Sequence, residues 1–447
     1  MAISTTVTSS SIGSGRTTTD YRAMTIATVL FFMWGFLTCL NDILIPRLKG
    51  IFELNYAQVM MVQFAFFSSY FVFALPAGKL VDWCGYKQTM VIGLLVMAAG
   101  AMLFLPAASL ASFGVFLAAL VILAAGMTCL QVAANPYVTS LGPENTAASR
   151  LNFSQGFNSL GTTIAPIVGG ALILGGGTQI SPTKLHSLSA ALIQSYRAQQ
   201  ASSVRLPYLG LALTLCFLAV ALALLKMPPM ITHPTQDFRA GAYDQTESAH
   251  DTVWHHPWLL MGAVGIFLYV GAEVSIGSFL VNYFGLPQIM SLSQQTAAKF
   301  VGFYWGGAMI GRFLGSAVLQ RVSTGLVLGC AAVAAGLLVV TSMLTRGPTA
   351  MWAIIAVGLF NSVMFPNIFT IGLWNLGPLT SKGSGLLVMS ILGGALIPLL
   401  EGHVADGIGV QHAFFIPVLC YIFIAGFGFA ARNLMSGPAL PVLDPGA

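Results

Sequence analysis

The sequence predicts an all-α membrane protein with twelve transmembrane helices in two six-helix bundles. Three observations carry that prediction. Hydrophobic residues make up 56% of the 447-residue chain and charged residues only 7%, where a soluble domain carries about 25% charged residues; mean hydropathy is +0.84. Apolar runs are long and do not alternate, as from Thr89 to Phe104. Lipid offers no partners to backbone N–H and C=O groups, so only helices or closed barrels span it, and runs without alternation specify helices. A polar stretch from Met227 to His256 then divides the apolar segments six and six, as a linker between two bundles would.

Each span follows from about 20 apolar residues closed by Gly, Pro or charged residues. The first, Met24 to Pro46, is closed by a proline. The second, Ala57 to Val81, and the third, Gln88 to Pro106, flank the loop Gly78-Lys79-Leu80-Val81-Asp82-Trp83-Cys84-Gly85-Tyr86-Lys87. The fourth, Phe113 to Leu141, stops at Gly142-Pro143, and the fifth, Ala148 to Leu174, before a glycine run. The sixth, Leu206 to Lys226, precedes Pro228-Pro229. The second bundle runs through Pro257 to Phe284, Ala298 to Leu319, Gly325 to Leu344, Trp352 to Leu376 (stopped by Gly377-Pro378), Gly385 to Ala405 and Gln411 to Arg432. The expected organisation is a polar tail over 1–23, bundles over 24–226 and 257–433, a cytoplasmic linker over 227–256 and a second tail over 434–447.

An even number of spans puts both termini on one side. The positive-inside rule makes that side the cytoplasm, since it carries Arg16, Arg22, Lys87, Arg150, Lys226, Arg239, Arg321, Lys382 and Arg432, against Arg47, Lys49, Lys184, Arg197, Arg205, Lys299 and Arg346 opposite. A second polar stretch, Gly175 to Arg205, falls on the outer side as a lid or cap. The start, Met1 to Asp20, lacks the basic, apolar and small-residue regions of a secretory signal, so the first helix is expected to direct insertion.

Several functions are set aside. The net charge of +5 is small and scattered, which gives no basis for a nucleic-acid partner. The six cysteines lack paired or metal-ligand spacing and read as packing residues. Glu401-Gly402-His403-Val404-Ala405-Asp406 is expected to be a polar helix end facing water, not a metal site. No Walker or dinucleotide motif occurs in a strand-to-helix context, so no ATP-driven step and no cofactor are expected.

The chemistry lies in polar groups within apolar spans. Of 13 acids, Asp42 falls inside Met33 to Pro46 and Glu273 inside Tyr269 to Leu280. An ionised group at mid-membrane depth costs about 2.5 kcal/mol or more, and is usually kept to handle a proton, a cation or a polar solute. Gln131 and Asn135 are four apart and Gln155 and Asn158 three apart, so each pair shares a helix face. Glu273 and Asn282, Asn361 and Asn367, with Trp305, supply matching groups from the second half. Amides and carboxylates of this kind offer donors and acceptors to a polar solute, although each amide has the alternative of bonding a neighbouring helix. The pairs Gly306-Gly307 and Gly393-Gly394 are expected to let helices approach closely.

A repeat supports two equivalent halves. Leu141-Gly142-Pro143 is followed by Gly161, Pro166 and Gly170, and Leu376-Gly377-Pro378 by Gly393, Pro398 and Gly402, with the same internal spacing from the glycine onward. The loop from Gly78 to Lys87 resembles the cytoplasmic signature of the major facilitator superfamily, with Trp83 and Tyr86 where arginines are usual; Asp82 and Lys87 are the expected gating residues. Asn41-Asp42-Ile43-Leu44-Ile45-Pro46, Ala133-Ala134-Asn135-Pro136-Tyr137-Val138, Arg150 to Gly161, Tyr269-Val270-Gly271-Ala272-Glu273 and Phe365-Pro366-Asn367-Ile368-Phe369 together resemble the fucose:proton symporter family, and within it the glucose/galactose and N-acetylglucosamine branch.

That resemblance implies a sugar importer of the bacterial inner membrane, working as a monomer by alternating access. Asp42 would be the proton-coupling acid, and Asn41, Gln131, Asn135, Gln155, Asn158, Glu273, Asn282, Asn361 and Asn367 the substrate-binding set. Fucose-transporting members carry a glutamate where this chain has Gln131, which cannot titrate, so a two-acid relay in the first half does not carry over. Glu273 is open between sugar binding, a second proton site and a structural bond to Tyr304 or Asn282. Sodium coupling, uniport with a structural Asp42, and, from another class, a polytopic membrane enzyme acting on lipid-linked sugars are the alternatives.

Overall fold

A computed structural model describes residues 18–52, 56–110, 112–169, 208–228 and 252–434, with the side chains of 38, 40–61, 63, 108–111 and 166–170 outside that description. The first tail, most of the linker, the stretch from Gly175 to Arg205 and the final tail therefore lie outside the described residues. So do the side chains of Asn41 and Asp42.

Among the described residues the chain is helical throughout, and its segments follow the predicted order. α1 is Tyr21–Phe52. One helical run, Tyr56–Leu110, turns at Gly85, whose φ of 82° is open to glycine; its limbs before and after Gly85 are α2 and α3. The predicted loop there is thus a single sharp reversal. α4 is Phe113–Thr139, α5 Ala147–Gly169 and α6 Tyr208–Leu224. In the second half, α7 is Pro257–Phe284, α8 Gln294–Val318, α9 Thr324–Leu344, α10 Gly347–Gly372, α11 Gly377–Ile408 and α12 Val410–Ala430.

Local chemistry sets the ends. Asp20 caps α1 by accepting from the Ala23 N–H at 3.0 Å, and its own N–H donates to Leu141 O at 2.8 Å, tying the start of α1 to the end of α4. Arg150, buried, donates to the carbonyls of Val138, Gly142 and Pro143 and to Thr146 Oγ1. It thereby supplies the donors that the last carbonyls of α4 lack. α8 begins at Ser293, whose Oγ accepts from Thr296 N–H at 3.4 Å. α10 breaks between Asn361 and Met364, one turn before Pro366, whose ring excludes the carbonyl of Ser362 from the helical ladder.

The two halves repeat one another in space. A Cβ added at Gly161 of α5 would lie 2.3 Å from Phe32 O on α1, and one at Gly393 of α11 would lie 1.9 Å from Phe267 O on α7. Matching glycines of the sequence repeat thus perform the same packing task. Leu-Gly-Pro ends in a 3-10 turn in both halves, at Glu144–Thr146 and Gly377–Leu379. Glycine pairing differs from expectation in one place: Gly306 faces open space, and α8 and α10 approach instead at Gly311 and Gly358, where an added Cβ would lie 2.2 Å from backbone oxygen.

Between halves, α5 packs on α8 and α2 on α11, with α4 touching α11 and α5 touching the second piece of α10. At the end carrying Asp82 and Arg150 the contacts are close. Ser149 Oγ donates to Ser316 O at 2.7 Å, Ser384 Oγ donates to Val132 O at 2.8 Å, and Ser381 Oγ donates to Asp82 Oδ1. A Cβ at Gly385 would lie 2.9 Å from Ala74 O. That end of the bundle is shut.

Candidate functional site

Polar side chains lie on α4 and α5, which meet α11, α8 and α10 of the second half, and on α7, which packs against α8. On α4, Gln131 is 3% exposed and its Nε2 donates to the hydroxyl of buried Tyr70 on α2 at 2.9 Å. One turn on, Asn135 is 0% exposed, and neither its Nδ2 nor its Oδ1 has a partner among the described residues. A buried donor and acceptor left unmade cost about 1–3 kcal/mol each, so Asn135 is poised for a polar partner beyond the described side chains.

On α5, Asn152 Nδ2 donates to Ala148 O and to Asn367 Oδ1 on α10, the latter at 3.0 Å. Among the described residues, Asn367 Nδ2 and Asn152 Oδ1 have no partner. This amide pair joins the halves directly. Gln155 is buried beside it. Asn158 turns the other way: its Nδ2 donates to Phe31 O on α1 at 3.0 Å, and its backbone packs so closely that a Cβ at Gly35 would lie 2.0 Å from its carbonyl oxygen. Asn158 holds α5 to α1.

The second half contributes a charged centre. Arg312 on α8 donates from Nη1 to Gln155 O at 3.3 Å and to Ser159 Oγ on α5, and from Nε to Ser362 O at 3.4 Å. The last contact has a sequence cause: in an unbroken helix Ser362 O would accept from residue 366, which is proline and has no N–H. Arg312 takes that place. Glu273 on α7 is the acid in its field, with the Tyr269 hydroxyl beside the same carboxylate, and among the described residues Glu273 Oε1 and Tyr269 OH complete no hydrogen bond. Asn361 Nδ2 donates to Tyr304 OH at 2.9 Å, and Tyr304 lies within the field of Glu273. Trp305 stacks its ring edge over Gly277.

The expected residues therefore separate. Gln131, Asn135, Gln155, Asn361 and Asn367 lie on helices that meet between the halves, and Glu273 on α7, which packs against α8. Asn282 stands exposed toward the far end of α7. Asn41 and Asp42 lie on α1, which packs along α5, with side chains outside the description. Asp82 bonds across to α11, whereas Lys87 Nζ donates to Ala223 O in its own half at 2.7 Å, stapling α3 to the end of α6.

Arg312, Tyr70 and Ser159 were not anticipated. Arg312 had a signal: it is a basic residue inside an apolar span, open to the same cost argument that exposed Asp42 and Glu273. One expectation is overturned. Glu401 does not face water but is 0% exposed, because its side of α11 packs on α7 and α12; only His403 and Asp406 of that group are exposed.

Comparison with known proteins agrees with this architecture. The chain is 50% identical to a glucose/galactose transporter of Brucella abortus over 91% of this chain and 93% of the relative. It is 34% identical to the L-fucose-proton symporter of Escherichia coli over 88% and 90%. The crystal structure of FucP, a major facilitator transporter in the outward conformation, superposes with a TM-score of 0.82 at 33% identity, over 91% of this chain and 98% of that one. Residues 24–390 match the family described as the Major Facilitator Superfamily. These are transporters, which sets the membrane-enzyme alternative aside. On its helical order, its paired halves and these matches, the chain belongs to the major facilitator superfamily.

Proposed function

We propose that this protein imports a hexose such as glucose, galactose, mannose or N-acetylglucosamine together with a proton, by alternating access. The observation that carries the reading is the polar layer between the halves, with Asn135 offering both a donor and an acceptor that no group among the described residues uses. A sugar hydroxyl supplies both complements at once. The relative named a glucose/galactose transporter, half identical along nearly the whole chain, favours a hexose.

In this reading Gln131, Asn135, Gln155, Asn361, Asn367 and Glu273 meet the sugar, and Arg312 holds Glu273 in place while bridging the halves. Asp42 loads and releases the coupling proton, since burial of a carboxyl favours its protonated form and hydration the charged one. The shut end carries the basic residues that the positive-inside bias assigns to the cytoplasm of a bacterial inner membrane. Loading would then occur from outside, as the outward conformation named for FucP accords with.

Counterflow uptake in proteoliposomes, with a hexose panel and with pH or Na⁺ gradients imposed separately, tests this. Exchange of a hexose and its accumulation under a pH gradient are expected, with Asp42→Asn exchanging sugar but no longer accumulating it. Accumulation that persists in Asp42→Asn refutes the coupling role; accumulation driven by Na⁺ alone replaces the proton with sodium.

A further inference from the structure

Glu401 occupies a place the sugar site does not use. It neighbours Leu400, which is 52% exposed, yet is itself 0% exposed. Leu396, Leu399 and Leu400 are exposed along α11, and Glu401 turns from them toward α7 and α12. Both of its carboxyl oxygens lack a hydrogen-bond partner among the described residues, and so does Ser275 Oγ on α7, which lies next to it. From α12, Cys420 lies within the field of Glu401, and buried Tyr421 is the next residue along the helix.

Among the described residues of the helices packed on it, no cation offsets a negative charge. α7 and α12 carry no Lys or Arg, and α11 carries only Lys382 at its opposite end. α2, which also touches α11, carries only Lys79, likewise at the shut end. His403 and Asp406 point outward, and His412 belongs to the end of the bundle beyond them. An isolated carboxylate in such a place costs several kcal/mol or more, whereas a neutral carboxylic acid costs only what an unpaired polar group does and can exchange a hydrogen bond with a hydroxyl. Ser275 is the hydroxyl in position.

We infer that Glu401 and Ser275 form a proton-binding site within the second half, separate from Asp42 and occupied in the conformation described here. α7 links it to the central layer, since Glu273 and Ser275 are two residues apart and so face different neighbours: Glu273 the charged centre, Ser275 the helix α11.

Infrared spectroscopy of the purified full-length protein reads the proton directly. The wild type is expected to show a protonated carboxylic-acid carbonyl band that is missing from Glu401→Gln and shifted in Ser275→Ala, where its hydrogen-bond partner is gone. A Glu401→Gln spectrum that instead loses carboxylate stretching bands overturns the proposal. Should that variant not fold, a hydrophobic carbodiimide on the wild type decides. A carboxylic O–H adds across its C=N bond, oxygen to carbon and proton to nitrogen, and the adduct rearranges to a stable N-acylurea without losing atoms; an ionised carboxylate brings no proton to the step. An apolar groove of about 320 Å³, lined by Ile397, Leu400, Val404, Phe415, Leu419 and Cys420, gives the reagent an approach. Mass-spectrometric mapping of the adduct to Glu401 supports the site, and an unmodified Glu401 refutes it. Neither readout depends on which solute is carried.

Discussion

Arg312 of the second half donates to Ser159 of the first, so the charged centre of one bundle is anchored on a helix of the other. With Gln155 O as a further acceptor at 3.3 Å, the guanidinium spans the surface along which the halves must slide. Its counter-charge, Glu273, lies on its own side. An exchange of the α5 contacts during transport leaves the acid and base together.

Separating these two groups is expected to be destabilising from either side. Arg312→Gln removes the cation beside a buried acid, and Glu273→Gln removes the acid beside the guanidinium, so each leaves the other group without its electrostatic neighbour. The double variant is expected to lose less than the sum of the two. Thermal unfolding of the four proteins in detergent measures it; additive losses mean that the two charges are independent. Arg312→Lys is not a rescue, because one ammonium cannot reach Ser362 O, Gln155 O and Ser159 together.

At the shut end, Gly385 meets Ala74 O so closely that an added methyl has no room. Gly385→Val is expected to wedge α11 from α2 and shift the population toward a state open at that end. Spin labels at Trp83 and Lys382, both beside the Asp82 to Ser381 bond, report it as a longer mean distance in a cysteine-free background. An unchanged distance distribution means that the two helices separate elsewhere.

Gly161 and Gly393 pose the same test in each half. Gly161→Ala and Gly393→Ala push α5 off α1 and α11 off α7, and overpacking of a close helix contact costs about 1–3 kcal/mol. Both variants are expected to unfold at lower temperature by similar amounts, read by thermal denaturation. A loss confined to one half means that the repeat is not structurally equivalent there.

How far the sequence reaches can be seen in particular residues. Span order and the Gly161 and Gly393 equivalence were legible because hydropathy and helix-breaking residues act locally. Gln131, Asn135 and Glu273 were legible because a polar group in lipid is costly wherever it sits. Orientation was not legible. Asn158 shares a face with Gln155 by spacing, yet bonds Phe31 O, and Glu401 lies seven residues from the end of its helix, yet faces inward. Which neighbour a side chain meets is decided by packing between helices remote in sequence, as for Asp82 and Ser381. The contact of Arg312 with Ser362 was hidden for another reason: that carbonyl is free to accept only because Pro366 breaks α10.

Gln131 offers the sharpest test of how coupling is divided. Its Nε2 now donates to Tyr70 OH, so the phenol serves as acceptor. In Gln131→Glu a carboxylate of the same reach occupies the position, and the Tyr70 hydroxyl can rotate to donate to it, so the contact survives with its polarity reversed. Inside the spans of the first half there are then two acids, Asp42 and the new one. Uptake under an imposed pH gradient is expected to become more steeply pH-dependent, with Gln131→Glu carrying more protons per sugar than the wild type. Adding Tyr70→Phe removes the donor that stabilises the charged form, which is expected to move the new transition toward higher pH. An unchanged ratio of protons to sugar in Gln131→Glu would mean that position 131 only binds, and that proton coupling lies with Asp42 and the second half.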